Sequence, residues 1–89
     1  MNIEELICAI EIGHEIEFRL FEGKFFLQPF YDYNKYQDGE PWFVIYNCTN
    51  SDCCVELFRG TCRDIVEFEF MPGICLKDNI DAFFFDAIF

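Results

Sequence analysis

The sequence predicts an α+β fold in which an antiparallel sheet of about four strands carries two helices on one face. Two helical patterns near the ends of the chain enclose segments in which apolar and polar residues alternate, as they do in half-buried strands. Short turn-forming runs separate these segments, and such runs join neighbouring antiparallel strands. With 89 residues, we expect one small domain that spans residues 1–89.

The first helix and the first strand have clear sequence signals. Asn2 and Glu5 form the pattern of a capping box, and Gly13 is a typical helix stop. Residues 14–21 then alternate, which predicts a strand. Its apolar face contains Ile16, Phe18 and Leu20, and its polar face contains Glu15, Glu17 and Arg19.

Three further strands are predicted in the middle of the chain. A turn at residues 22–24 leads into a strand at residues 25–30, where Pro29 favours an edge position or the end of the strand. Residues 42–48 and 53–58 are separated by a Thr-Asn-Ser-Asp run, so we expect them to form a second hairpin.

The last third of the chain begins with a second capping box and ends ambiguously. Thr61 and Asp64 predict the start of a helix that runs to about Phe70, where a Met-Pro-Gly sequence ends it. Residues 76–82 are expected to add one helical turn. Residues 83–89 form either a terminal strand or a tail packed over the sheet.

The composition excludes several classes of protein. Seventeen acidic and six basic residues give a net charge of −11, which opposes direct binding to nucleic acid. Hydrophobic residues make up 53% of the chain, so an acidic disordered segment is also excluded. No apolar run approaches the length of a membrane span, and no basic, apolar secretory leader is visible. We therefore expect a cytoplasmic protein whose cysteines are thiols or metal ligands.

The cysteines are the most unusual chemical feature of the sequence. Five of the six lie within residues 48–75, and zinc is commonly held by four thiolates. Strand and helix lengths would return Cys75 to the hairpin turn, whereas Cys62 would lie at the far end. Buried or surface thiols are the alternative, and Cys62 could replace Cys54 or Cys75. The predicted ligands of a structural zinc ion are Cys48, Cys53, Cys54 and Cys75, with Cys54 joining only if its strand is irregular.

Protein recognition is the function that the surface residues favour. No catalytic signature is present, so we do not expect an enzyme. Residues 31–40 are predicted to form an exposed loop rich in tyrosine, and acidic residues on one strand face would attract a basic protein. The predicted partner-binding residues are Glu15, Glu17, Tyr31, Asp32, Tyr33, Tyr36, Asp38 and Glu40.

In its length, its dispersed acidic residues, its Tyr31-Asp32-Tyr33 loop and its cysteine group, the chain resembles the small acidic anti-CRISPR proteins. This resemblance implies a phage or mobile-element protein in a prokaryotic host cell, with zinc in some members. It further implies stoichiometric binding to a type II CRISPR nuclease, which blocks guide or target-DNA loading or a domain movement. An acidic interaction module, or an antitoxin-like neutraliser of another basic protein, is the alternative. Either is expected to be a monomer or a small homo-oligomer.

Overall fold

An antiparallel sheet of five strands forms the centre of an α+β fold, and two α-helices pack on one of its faces. The computed structural model describes residues 1–30, 40–50 and 52–89. The predicted count of four strands was wrong, because the terminal segment joins the sheet as a fifth strand. The elements are α1 (Ile3–Ile12), β1 (Ile16–Leu20), β2 (Gly23–Pro29), β3 (Phe43–Asn47), β4 (Val55–Gly60), α2 (Cys62–Glu67), a 3₁₀ turn (Ile80–Ala82) and β5 (Phe83–Ile88).

Helix α1 begins and ends where the sequence predicts. The Glu5 N–H donates to the Asn2 side chain at 2.8 Å, and the Asn2 N–H donates to the Glu5 carboxylate at 3.3 Å. Gly13 ends the helix with a φ of 100°, a left-handed conformation that would cost another residue about 1 kcal/mol or more. Between these caps, Leu6 and Ile10 are buried against the sheet.

The strand order is β4-β3-β2-β1-β5, and every neighbouring pair is antiparallel. Strands β1 to β4 follow one another as a meander, whereas β5 returns to pair with the free side of β1. The predicted alternation in β1 is confirmed, because Ile16, Phe18 and Leu20 are all buried on the helix-covered face. We call the opposite face, which the helices leave uncovered, the outer face.

Helix α2 starts at the predicted capping box but ends at Glu67 instead of about Phe70. Phe68 already has an extended backbone, with φ −63° and ψ 128°. Extended backbone sends alternate side chains the same way, so the rings of Phe68 and Phe70 both turn into the core. Their centroids lie 5.0 Å apart, and the Phe68 ring stacks on Phe58 at 4.6 Å. Packing of these rings therefore replaces the last helical turn.

Phenylalanine rings fill the centre of the core. Phe18 is 1% exposed, and its ring lies 5.6 Å from Phe25, 5.7 Å from Phe70 and 6.0 Å from Phe83. Such ring pairs add about 0.5–1.5 kcal/mol each beyond the area they bury. Aromatic packing thus joins β1, β2 and β5 to the segment that follows α2. No helix in the described parts of the chain is long and apolar enough to cross a membrane.

Both edge strands have a break in register. In β4 the break lies opposite Ile45 and Tyr46, and in β5 it lies opposite Glu17 and Phe18. Such a bulge places two residues of one strand opposite one of its partner and changes which side chains share a face. It allows Glu56 and Arg59, which are three positions apart, to meet on the outer face.

Candidate functional site on the open face of the sheet

A row of side chains crosses the outer face from β1 to β4. The register pairs Glu17 with Phe26, Phe26 with Tyr46, and Tyr46 with Glu56. Directly paired residues of antiparallel strands have Cβ atoms about 4.5–5.5 Å apart, so neighbours in this row can touch the same ligand. The row therefore places two aromatic rings between two carboxylates.

Arg19 forms an ion pair and a ring contact on the β5 side of the outer face. Its Nε donates to Oδ2 of Asp86 at 3.0 Å, and its Nη2 donates to Oδ1 at 2.9 Å. The guanidinium carbon lies 4.4 Å from the centroid of the Phe84 ring. Arg19 thus donates two hydrogen bonds to one carboxylate while its guanidinium carbon lies over the face of a phenylalanine ring.

Arg59 repeats this arrangement on the β4 side. Its Nε donates to Oε2 of Glu56 at 2.9 Å, and its Nη2 donates to Oε1 at 2.7 Å. Its guanidinium carbon lies 4.6 Å from the centroid of the Phe30 ring. In the described part of the chain, the outer face therefore contains two arginines that each contact a carboxylate and a phenylalanine ring.

An open groove of about 730 Å³ lies on the outer face, and the Arg19–Asp86 ion pair forms part of its lining. Its lining combines residues of both charges with aromatic residues and includes the disulfide-bonded Cys48 and Cys54. Glu17 is exposed, whereas Phe26 and Tyr46 are half-buried. The groove can therefore accept a flat or cationic group from another molecule. The side chains that line it include Glu17, Arg19, Lys24, Phe26, Tyr46 and Asp86.

The predicted partner-binding residues divide into three groups. Glu17 lies in the groove, and Glu15, just before β1, is half-buried, with its carbonyl oxygen accepting the Phe89 N–H at 2.8 Å. Glu40 is exposed beside a second cavity of about 690 Å³ at the start of α2. The remaining predictions lie outside the described residues, namely Tyr31, Asp32, Tyr33, Tyr36 and Asp38.

The structure places the predicted zinc ligands differently. Cys48 and Cys54 form a disulfide with a Cα–Cα distance of 4.3 Å. Because β4 begins at Val55 and not at residue 53, strand alternation does not control Cys54, which turns towards Cys48. Cys53 is exposed with a free thiol, whereas Cys75 is buried with its Sγ 3.5 Å from Oδ2 of Asp78.

Zinc bound by four thiolates does not fit this arrangement, because two of the four sulfurs are bonded to each other. Residues 1–30, 40–50 and 52–89 contain no group of three or more His, Cys, Asp or Glu side chains positioned to hold a metal ion. The expectation that the cysteines are thiols or metal ligands thus differs from the structure at Cys48 and Cys54. Structural zinc remains a prediction from the sequence.

Cys62 lies at the start of α2, in the second cavity with Glu11, Arg63 and Asp64. Burial, and then the negative charge of Glu11, raise the pKa of the Cys62 thiol from 9.0 to about 11. Both effects disfavour the thiolate, which is the reactive form of cysteine. This thiol is therefore protonated and weakly nucleophilic at neutral pH.

Acidic side chains dominate the electrostatics of the surface. Fifteen of the seventeen acids belong to described residues, and none of them is buried. Glu67 lies 3.6 Å from both Arg63 and Lys77, so these two bases share one carboxylate. Glu67, Glu56 and Asp86 together occupy four of the five described bases, and the other described acids have no basic partner within the described chain.

The sequence did not predict that Phe26 and Tyr46 line a groove together. Phe26 follows Phe25 directly within β2, so the two side chains face opposite sides of the sheet and Phe26 lies on the outer face. The position of Phe26 beside Glu17 depends on the register of the β1–β2 hairpin, and its position beside Tyr46 depends on the register of β2 with β3.

Comparisons of the chain with protein-family models, with curated proteins and with solved structures found no match.

Proposed function

We propose that this protein is a non-enzymatic inhibitor that binds a basic nucleic-acid-handling enzyme. The observation that carries the proposal is the outward-facing acidic surplus, because most described acids have no basic partner within the described chain. Four of the five described bases are already in ion pairs. Such a surface attracts a protein of opposite charge and speeds their encounter.

The partner we propose is a type II CRISPR RNA-guided DNA nuclease. Such an enzyme holds its RNA–DNA heteroduplex in a positively charged channel, which offers many Lys and Arg side chains to an acidic protein. Binding there would block guide loading, target-DNA loading or a required domain movement. The resemblance in size and acidity to anti-CRISPR proteins also supports this choice.

Titration of a purified type II nuclease with the protein tests this function. Cleavage of a matched DNA target should stop once the protein reaches a stoichiometric amount relative to the nuclease. Cleavage should stay blocked with time, because the proposed inhibitor acts by binding and is not consumed. The dissociation constant should rise with salt, since screening weakens attraction between exposed charges. Full cleavage in excess protein, across a panel of such nucleases, would contradict the proposed partner.

Two matched double variants separate charge from other contacts. Replacing Glu4 and Glu22, both exposed, with Gln removes two negative charges and should weaken binding. Replacing Arg63 and Lys77, which are also exposed, with Gln removes two positive charges and should strengthen it. Equal affinities for both variants would show that the acidic surface does not drive recognition. Retention of a different basic protein from a host lysate would instead favour the interaction-module alternative.

A further inference from the structure

Among the described residues, three places on the outer face have a carboxylate and an aromatic ring side by side. In two of them the chain supplies its own cation, since Arg19 fills the place at Asp86 and Arg59 fills the place at Glu56. In both, the guanidinium carbon lies within 4.6 Å of a phenylalanine centroid. In both places, therefore, a guanidinium lies next to a carboxylate and over an aromatic ring.

The third place is formed by Glu17, Phe26 and Tyr46. Glu17 is paired with Phe26 in the ladder between β1 and β2, and Phe26 is paired with Tyr46 in the ladder between β2 and β3. Glu17 is exposed and forms no ion pair with any described residue. The three side chains line the open groove of about 730 Å³, so another molecule can reach all of them.

We propose that this groove binds an arginine side chain of a protein partner. The carboxylate of Glu17 would receive the guanidinium N–H groups, and the rings of Phe26 and Tyr46 would contact its flat surface. The site rests on the proposed function in one respect, namely that the partner is a basic protein. The proposal adds that the partner presents an arginine and that this arginine binds at Glu17, Phe26 and Tyr46.

The other polar groups of the groove are distributed unevenly along β2. Lys24 and Gln28 flank Phe26 along β2, so both lie on the outer face with it. Arg19 pairs with Lys24 in the register, which concentrates positive charge at that end although Asp86 neutralises Arg19. The neutral Gln28 amide lies on the other side of Phe26, so positive charge in this groove is confined to the Lys24 side.

Arginine suits this site better than lysine. A guanidinium is planar, so it can stack on a ring while its edge donates two hydrogen bonds to one carboxylate. A lysine ammonium is a compact and strongly hydrated charge without such a plane. The distinction matters because a purely electrostatic site would bind both residues equally well.

Titrations with blocked oligo-arginine and oligo-lysine peptides of equal length test the proposal. Calorimetry gives the affinities, and NMR follows the ring signals of Phe26 and Tyr46. We expect the arginine peptide to bind about three-fold or more tightly than the lysine peptide and to shift both ring signals. Glu17→Gln should weaken arginine-peptide binding about three-fold more than Glu4→Gln, which removes the same charge on α1.

A second substitution tests the role of the ring. Phe26→Leu keeps an apolar side chain but removes the aromatic surface, so it should reduce the preference for arginine over lysine. Equal losses from Glu17→Gln and Glu4→Gln, or equal affinities for the two peptides, would overturn the proposed site. Arginine-peptide binding at Glu17 without nuclease inhibition would instead retain the site and reject the proposed nuclease partner.

Discussion

Cys62 shows how one neighbour and partial burial change the chemistry of a single residue. The pKa of its thiol rises to about 11 because burial, and secondarily the charge of Glu11, oppose the thiolate. Cys8 and Cys53 are free thiols that are exposed to solvent. The three residues share one reactive group, so the differences among them come from their surroundings.

Alkylation should therefore proceed in a defined order. At pH 8, iodoacetamide should modify Cys8 and Cys53 well before Cys62, and the rate at Cys62 should increase as the pH approaches 11. Mass spectrometry of peptides from timed samples measures each rate. In denaturant all three sites should react at similar rates, which provides the control. Early modification of Cys62 in the folded protein would contradict the assigned environment.

The same raised pKa has a consequence for stability, with a definite sign. Below pH 9 the thiol is protonated in both the folded and the unfolded chain, so it contributes no pH dependence. Between about pH 9 and 11 the unfolded chain loses this proton while the folded chain keeps it. Folding stability must therefore fall across this range as the pH rises.

Individual site residues could be predicted only where one local rule decides their position. Alternation was sufficient for Glu17, because its neighbours Ile16 and Phe18 had to be buried. The pairing of Cys48 with Cys54 depends on where β4 begins, and a two-residue error at that boundary changes which sulfurs meet. The geometry of this turn, which composition does not determine, thus decides whether Cys48 and Cys54 form a disulfide or belong to the predicted set of metal ligands.

The β3–β4 hairpin is the element that the disulfide most directly affects. The bond joins residues only six positions apart, so it closes a short loop. Chain-entropy arguments give about 2 kcal/mol for a loop of this size. The two bonded cysteines also line the outer-face groove, which ties the shape of the groove to the oxidation state of the hairpin.

Removing this bond should lower the free energy of unfolding by about 2 kcal/mol or less. The test is denaturant unfolding of the double variant Cys48→Ser/Cys54→Ser, with Cys8→Ser as the control for loss of a free thiol. The intact mass of the wild type should be lower by two hydrogen atoms than that of the fully reduced chain. Copurifying zinc, together with loss of stability on chelation, would instead support the metal site.

Helix boundaries were predictable at their starts and not always at their ends. Capping boxes are local, and both appear in the structure as the sequence predicts, at Asn2 with Glu5 and at Thr61 with Asp64. The end of α2 depends on Phe68 and Phe70 contacting rings that are distant in the sequence. Tertiary packing thus overrode a local pattern that continued the helix.

At the scale of the whole molecule, the net charge of −11 produces electrostatic repulsion that a small hydrophobic core must offset. Every described acid is at least partly exposed, so mutual repulsion acts through solvent and is sensitive to salt. The core contains side chains of both helices and of all but one of the five strands, and the Phe58 ring of β4 packs beside it. Repulsion among the surface charges therefore destabilises the fold, and burial of apolar side chains in a single core stabilises it.

Sodium chloride should raise the melting temperature as it is increased from low to physiological ionic strength. Repulsion among the carboxylates destabilises the compact state more than the expanded one, and screening by salt weakens this repulsion. Differential scanning calorimetry measures the shift, and potassium chloride at equal ionic strength should give the same result. A melting temperature that falls with salt would mean that the ion pairs at Glu56, Glu67 and Asp86 outweigh the repulsion.

Topology was the least predictable property at this scale. The terminal segment carried the signals of both a strand and a packed tail, and only its pairing with β1 decides between them. That pairing joins residues more than sixty positions apart, for example Leu20 with Phe83, so no local pattern contains it. The α+β class, by contrast, followed from the periodicity of the individual segments.

The bulges in β4 and β5 affect how copies of this chain behave at high concentration. Each interrupts its strand so that no more than three consecutive residues keep an unbroken register with the neighbouring strand. A growing fibril needs a long, straight template along which new strands can align. Neither edge strand of this sheet provides one, so we expect the folded protein to be concentrated without seeding amyloid, although Phe21, Phe84 and Phe89 are exposed.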